Sequence, residues 1–188
     1  MIKIKVRIKG LTPLMQHRLS GPIKKPPGPT KKEDFTQQAE DAAYRSENGA
    51  LFAPNKWIKG CLRDATGYMQ RTRPPLRRII CGGVFVNPRE IPILDPATNK
   101  PLTEYIIDLD TVVNIQRGRV NVARPRMDQW AMEFFIEYNP AHTAGLAPQT
   151  LKDLLRVGGI TQGIGAYRPE HSGECGTFEI EKWEVTEE

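Results

Sequence analysis

Ile2, Ile4, Val6 and Ile8 alternate with Lys3, Lys5, Arg7 and Lys9, the two-residue period of a strand with one buried and one solvated face. The alternation ends at Gly10, and Pro13, Gly21, Pro22, Pro26, Pro27, Gly28 and Pro29 exclude regular structure over residues 10–32, predicting a long loop. A short helix is expected from Glu33 to about Arg45, closed by Asn48-Gly49, with a short strand from Ala50 to Ala53. Pro54 and Asn55 then open a second helix running to about Met69, Pro suiting a first turn and Asn a cap. At 100° per residue Trp57, Ile58, Cys61, Leu62, Ala65 and Met69 share one side of it, and Lys56, Lys59, Arg63 and Gln70 the other.

Further along, Ile79 to Val86 reads as a strand, preceded by Arg71, Arg73, Arg77 and Arg78. Tyr105–Gln116 and Val120–Ala123 are expected to pair around Arg117-Gly118 as a hairpin carrying Arg117, Arg119, Arg124 and Arg126. Trp130–Tyr138 is a further strand, and Pro148–Val157, with Leu151, Leu154 and Leu155 at helical spacing, a short helix stopped by Gly158-Gly159. The last strand, Gly176–Val185, requires a bulge, because Phe178 and Ile180 fall on one parity and Trp183 and Val185 on the other. Strand, helix, strand, strand, helix, strand is the α+β, ferredoxin-like (RRM-like) βαββαβ order, with both helices on one face of an antiparallel sheet. The expected organisation is one domain over 1–188, with a basic loop and short helix inserted at 10–50 and a thumb-like hairpin inserted at 87–128.

Charge changes this picture. The net charge of +5 is modest for 188 residues, but Lys3, Lys5, Arg7, Lys9, Arg18, Lys24, Lys25, Lys31 and Lys32 occur with no acid in residues 1–32. Residues 56–89 hold eight Lys or Arg against Asp64 alone, whereas Glu170, Glu174, Glu179, Glu181, Glu184, Glu187 and Glu188 crowd the end. Such segregation points to a polyanionic partner for the basic part, and to head-to-tail self-association between basic and acidic surfaces. No apolar run approaches 18 residues and the amino terminus alternates, so no membrane segment or signal peptide is expected. Cys61, Cys81 and Cys175 are an odd number without CxxC spacing, which fits a reducing, cytoplasmic-type compartment.

Two segments, LFAPNKWIKGCLRDA (51–65) and GGITQGIGAYRPEHSGECGTF (158–178), resemble motifs of the RAMP superfamily, the ferredoxin-fold proteins that build CRISPR effector complexes. The first is similar to its small-residue-or-Pro start followed by a helix with Lys-Gly and Leu-Arg. The second is similar to its glycine-rich loop before the last strand. The resemblance implies an RNA-binding or related subunit, closest in character to the repeating backbone subunit or a phage-encoded relative, with the loop and the first long helix on the binding side.

Gly158, Gly159, Gly163, Gly165, Gly173 and Gly176 would let the main chain approach a ligand and offer N–H donors to phosphate. Within that loop Gln162, Tyr167, Arg168 and His171 are candidate contacts, Tyr167 for stacking and Arg168 for phosphate. The competing reading is a turn-rich connection that uses glycine for its shape. Lys56, Lys59 and Arg63, the run Arg71, Arg73, Arg77 and Arg78, and the hairpin arginines Arg117, Arg119, Arg124 and Arg126 are the other binding candidates, having few acidic neighbours in sequence. The first-strand lysines read better as cross-strand partners of Glu179, Glu181 or Glu184.

His17, His142 and His171 are the candidates for a rival reading, an RNA-processing endonuclease, but none has an evident catalytic partner in sequence. His171 and Cys175 alone do not make a metal site, and Asp108 and Asp110 read as exposed positions of an alternating strand, so no metal or cofactor is expected. The expectation is a non-enzymatic protein that holds single-stranded RNA, or single-stranded DNA, by its phosphates. A phage structural or assembly protein is the other rival.

Overall fold

A computed structural model of the chain describes residues 1–18, 34–69, 75–113 and 119–187, with side chains described throughout except over 112–113 and 119–120. Its elements in chain order are β1 (Ile2–Gly10), β2 (Leu14–Met15), α1 (Phe35–Ala42), β3 (Phe52–Pro54), α2 (Asn55–Ala65), α3 (Leu76–Gly83), β4 (Val84–Asn87), β5 (Glu90–Leu94), β6 (Ile106–Val113), β7 (Arg119–Met127), β8 (Ala131–Tyr138), α4 (Pro148–Thr161) and β9 (Phe178–Glu187). The main sheet runs β3-β5-β8-β1-β9, and β4 also pairs with β8, on the edge opposite β1. Read through β1, α2, β4, β8, α4 and β9, this is the ferredoxin-like βαββαβ fold, with central strands β8 and β1 antiparallel.

The alternation of β1 decides which face is buried. Ile4, Val6 and Ile8 are fully buried beneath Ile58, Cys61 and Leu62 of α2 and Leu151, Leu154 and Leu155 of α4. Glu181 is the bulged residue of β9: Arg7 faces Lys182 but Ile8 faces Ile180, which returns Phe178, Ile180 and Trp183 to the core side despite their mixed parity.

The opposite face is zipped by charge. Lys3 pairs with Glu137 at 3.3 Å and Lys5 with Glu133 at 3.9 Å, partners supplied mainly by β8, while β9 contributes Glu181. Arg7 is only 6% exposed, donating to Glu133, to Glu181 and to Asn99 Oδ1 at 2.6 Å in the turn that folds over it. Cross-strand pairing therefore holds for Lys3, Lys5 and Arg7, but the lysines take their acids from β8, and of the expected Glu179, Glu181 and Glu184 the described ion pairs use Glu181, with Arg7. Removing one member of a buried ion pair costs about 3–5 kcal/mol. Glu133 and Glu181 are about two-fifths exposed, so Arg7→Ala is expected to lower stability by about 2 kcal/mol, read from the denaturant midpoint at unchanged m.

Four local expectations are corrected. The segment Ile79–Val86 is not one strand: helix α3 fills Leu76–Gly83 and only Val84–Asn87 is extended. Pro75 allows the helical start, and Leu76 and Ile80, one turn apart, are its buried positions. Helix α4 does not stop at Gly158-Gly159 but continues to Thr161. These glycines let it pack closely, since a Cβ would stand 2.7 Å from Cys61 Sγ at Gly158 and 2.5 Å from the Phe178 carbonyl at Gly159. Asn55 does not cap α2; its side-chain amide donates to the Val86 carbonyl at 2.7 Å. The stretch from residue 87 opens with β5, a strand of the main sheet whose Pro92 lies opposite Phe52 of β3. The hairpin itself is β6–β7, joined by β2 in a second sheet, and its tip at 114–118 lies outside the described residues.

Candidate nucleic-acid interface

Helix α2 buries Ile58, Cys61, Leu62 and Ala65, which turns Lys56, Lys59, Gly60 and Arg63 outward. The close approach of α4 at Gly158 sets the segment after α4 beside that outward face. Between them lies a cleft of about 420 Å³, lined on the α2 side by Lys56, Trp57, Lys59, Gly60, Arg63 and Asp64 and on the other by Gly163, Ile164, Gly165, Arg168 and Glu170. The two segments singled out from the sequence are thus the two walls of one cleft.

Its charges are partly matched from within. Arg63 forks onto Asp64 at 2.8 and 2.5 Å, and Arg77 of α3 reaches the same carboxylate at 3.3 Å. The Arg63 guanidinium holds the Asp64 carboxyl below its ordinary value, with Arg77 and Arg168 adding to the effect. Arg168 forks onto Glu170 at 2.8 and 2.5 Å and donates to the Gly165 carbonyl at 2.9 Å. Lys59 donates to the Val84 carbonyl and lies 5.6 Å above the Phe85 ring, and burial pushes its ammonium pKa down. Lys56 is exposed with no partner among the described residues. Trp57 is half-buried, fixed edge-on against Tyr44 at 5.4 Å. Four basic side chains therefore face two carboxylates, an arrangement in which an incoming phosphate meets pre-oriented guanidinium groups.

The glycine loop spends most of its N–H groups within the chain. Gly158 and Gly159 are helical, and the N–H groups of Gly163, Gly173 and Gly176 donate inside the chain to the carbonyls of Gly158, Arg168 and Pro13 at 2.9, 3.0 and 2.8 Å. Only the Gly165 N–H among these loop glycines has no partner within the described residues. Gln162 is buried, its N–H bonded to the Gly158 carbonyl, and does not line the cleft. Tyr167 is exposed at φ +52, its carbonyl accepting from the Cys175 N–H, and His171 is exposed with Nε2 4.0 Å from Glu170.

The remaining candidates divide. Arg77 joins the cleft through Asp64, and Arg78 is exposed on α3, while Arg71 and Arg73 lie outside the described residues. On the hairpin, Arg126 is held by Asp108 and Asp128, each at 2.8 Å: Asp128 lies two residues on in sequence, and antiparallel pairing sets Asp108 opposite Arg124, diagonal to Arg126. Arg124 Nε is buried without a partner among the described residues. Arg117 and the side chain of Arg119 lie outside the described residues, as does the basic stretch 19–33.

His17 sits with Arg18, Gln38 and Asp41 around a small cleft of about 170 Å³, and burial, then Arg124, pushes its imidazole down. His142 is exposed on a turn. Among the described residues no group of three or more His, Cys, Asp or Glu is arranged to hold a metal, and no helix is long and apolar enough to cross a membrane. Sequence reasoning missed Trp57, Gly60, Asp64 and Glu170 as parts of the site; the adjacency of Asp64 to Arg63 and of Glu170 to Arg168 was the available signal.

No family model and no curated protein matches the chain. Among solved structures, a chain from the cryo-EM structure of the Type III-B Cmr-beta bound to cognate target RNA is similar, with a TM-score of 0.58 at 15% identity. The match covers 98% of this chain and 60% of that one, so this chain spans about three-fifths of its length. The likeness is one of fold.

Proposed function

We propose that this chain is a subunit of a CRISPR-effector-like ribonucleoprotein and binds single-stranded RNA, in preference to DNA, through its phosphates in the cleft between α2 and the segment after α4. The observation that carries the reading is the convergence of Lys56, Lys59 and Arg63 with Arg168 on one cleft, from segments far apart in the chain. The similarity of fold to a chain from an RNA-bound assembly supports it. The role is binding without catalysis. The edge of β9 that pairs with no described strand, with Glu179, Glu184 and Glu187 exposed, offers an acidic surface for the basic α2–α3 side of a second copy, so the chain is expected to line up head to tail on RNA.

The test is affinity for a labelled single-stranded RNA as a function of salt. With two to four phosphates held, log K should fall linearly with log salt at a slope of about −1.5 to −3. RNA should remain intact on incubation, and single-stranded DNA of the same sequence should bind more weakly. A flat salt response would reject phosphate binding, and cleavage abolished by His17→Ala would replace the binder with a nuclease.

A further inference from the structure

We infer that the nucleotide chain touches the backbone of α2 at Gly60, where the sugar and phosphate of one nucleotide lie directly on the helix. The inference rests on the cleft being the RNA site. Gly60 is in the middle of α2, Asn55–Ala65, where glycine is among the poorest residues for helix stability. An interior helical glycine is accounted for when neighbouring atoms need the space. That account works for Gly158 and Gly159, where a Cβ would press on Cys61 and on Phe178. It fails at Gly60, where a Cβ would meet no described atom within 4 Å. Gly67 and Gly82 also meet nothing, but they lie in the turn Thr66–Tyr68 and the last turn of α3, where glycine disturbs no helix interior.

What surrounds Gly60 is the cleft. Along the helix axis it lies between Lys56, one turn before, and Arg63 and Asp64, one turn after; around the axis Lys56 and Arg63 fall to one side of it and Trp57 and Asp64 to the other, and all of these line the cleft with Lys59 and with Arg168 on the facing wall. The missing side chain leaves a patch of bare backbone framed by Lys56, Lys59, Trp57 and Arg63, with the Asp64 carboxylate already held by Arg63 and Arg77. A ribose ring can settle on that patch while its phosphates reach Lys56 and Arg168. A Cβ would lift the ring by about 1.5 Å, the length of one C–C bond, and charge-assisted hydrogen bonds lose their geometry over such a shift.

The test compares Gly60→Ala and Gly60→Gln with Lys56→Ala, using a labelled oligouridylate and thermal unfolding of the same samples. Gly60→Ala should raise Tm by roughly 2–4 °C, as helix propensity requires, while weakening RNA binding at least fivefold, and Gly60→Gln should weaken binding further. Higher stability with poorer binding is the signature of a contact surface. Parent affinity in both Gly60 variants, with binding weakened by Lys56→Ala, would overturn the inference and leave the cleft as the RNA site. A lower Tm for Gly60→Ala would overturn it too, because the space would then be needed by the chain itself. Parent affinity in all three variants would remove the cleft, and the inference with it.

Discussion

Replacing Lys56, Arg63 and Arg168 together with alanine should lower affinity for single-stranded RNA about 100-fold at 0.1 M salt and flatten the salt slope by about two units. The fold is expected to survive their loss. Lys56 has no partner among the described residues. Without Arg63, the Asp64 carboxylate keeps Arg77 at 3.3 Å, and without Arg168 the Glu170 side chain, 29% exposed, is solvated. Lys59, which donates to the Val84 carbonyl, is left in place; Arg168 also donates to the Gly165 carbonyl at 2.9 Å, so the affinity of the triple is read in the folded fraction given by its Tm. Fluorescence anisotropy across a salt series, with Tm measured in parallel, reads both quantities. Affinity within threefold of the parent at an unchanged slope would place RNA on another surface.

The parts of this arrangement that were legible in sequence are those fixed by local periodicity. The alternation of β1 identified Ile2, Ile4, Val6 and Ile8 as buried but set Arg7, which is buried too, on the wet face; the parity break between Ile180 and Trp183 announced the bulge at Glu181; and the wheel of α2 separated Ile58, Cys61, Leu62 and Ala65 from Lys56, Lys59 and Arg63 while leaving Trp57, a cleft residue, on the core side. Where the outcome depended on distant packing, periodicity was silent. Ile79-Ile80-Cys81 is too short an apolar run to separate strand from helix, and the neighbours of α3 decided for helix. Gly158-Gly159 has the composition of a helix stop, yet Cys61 and Phe178 use those positions for close approach inside a continuing helix.

Charge partners were hidden for the same reason. Strand pairing supplied Glu133 and Glu137 to β1 and Asp108 to Arg126, none of them near in sequence, so arginines that look free along the chain are neutralised in space. The cleft residues were readable singly and unreadable as a site. Nothing in the order of residues says that Gly60 and Arg168 face each other.

The alanine pair Gly163→Ala and Gly165→Ala should give the opposite balance to the cleft triple, a large loss of stability with binding largely kept. Gly163 sits at φ +62 and Gly165 at φ +81, where a side chain costs about 1 kcal/mol each. Space is short as well. A Cβ at Gly163 would stand 2.8 Å from Pro169 Cδ, and one at Gly165 would stand 2.5 Å from the Met15 carbonyl oxygen. That oxygen accepts the Ala166 N–H at 2.8 Å, the bond by which the loop is tied to β2, so an alanine at 165 forces apart a joint between the loop and the second sheet. Backbone strain and overlap together should cost on the order of 3 kcal/mol, lowering Tm by roughly 6–12 °C. Binding should change less than tenfold in the folded fraction, because the Gly163 N–H is spent on Gly158 and the phosphate contacts proposed for the cleft come from side chains the variant retains. The decisive result is the order of the two effects: a 100-fold loss of affinity at parent Tm would mean that the loop backbone itself, through the Gly165 N–H that no described residue accepts, grips the phosphate.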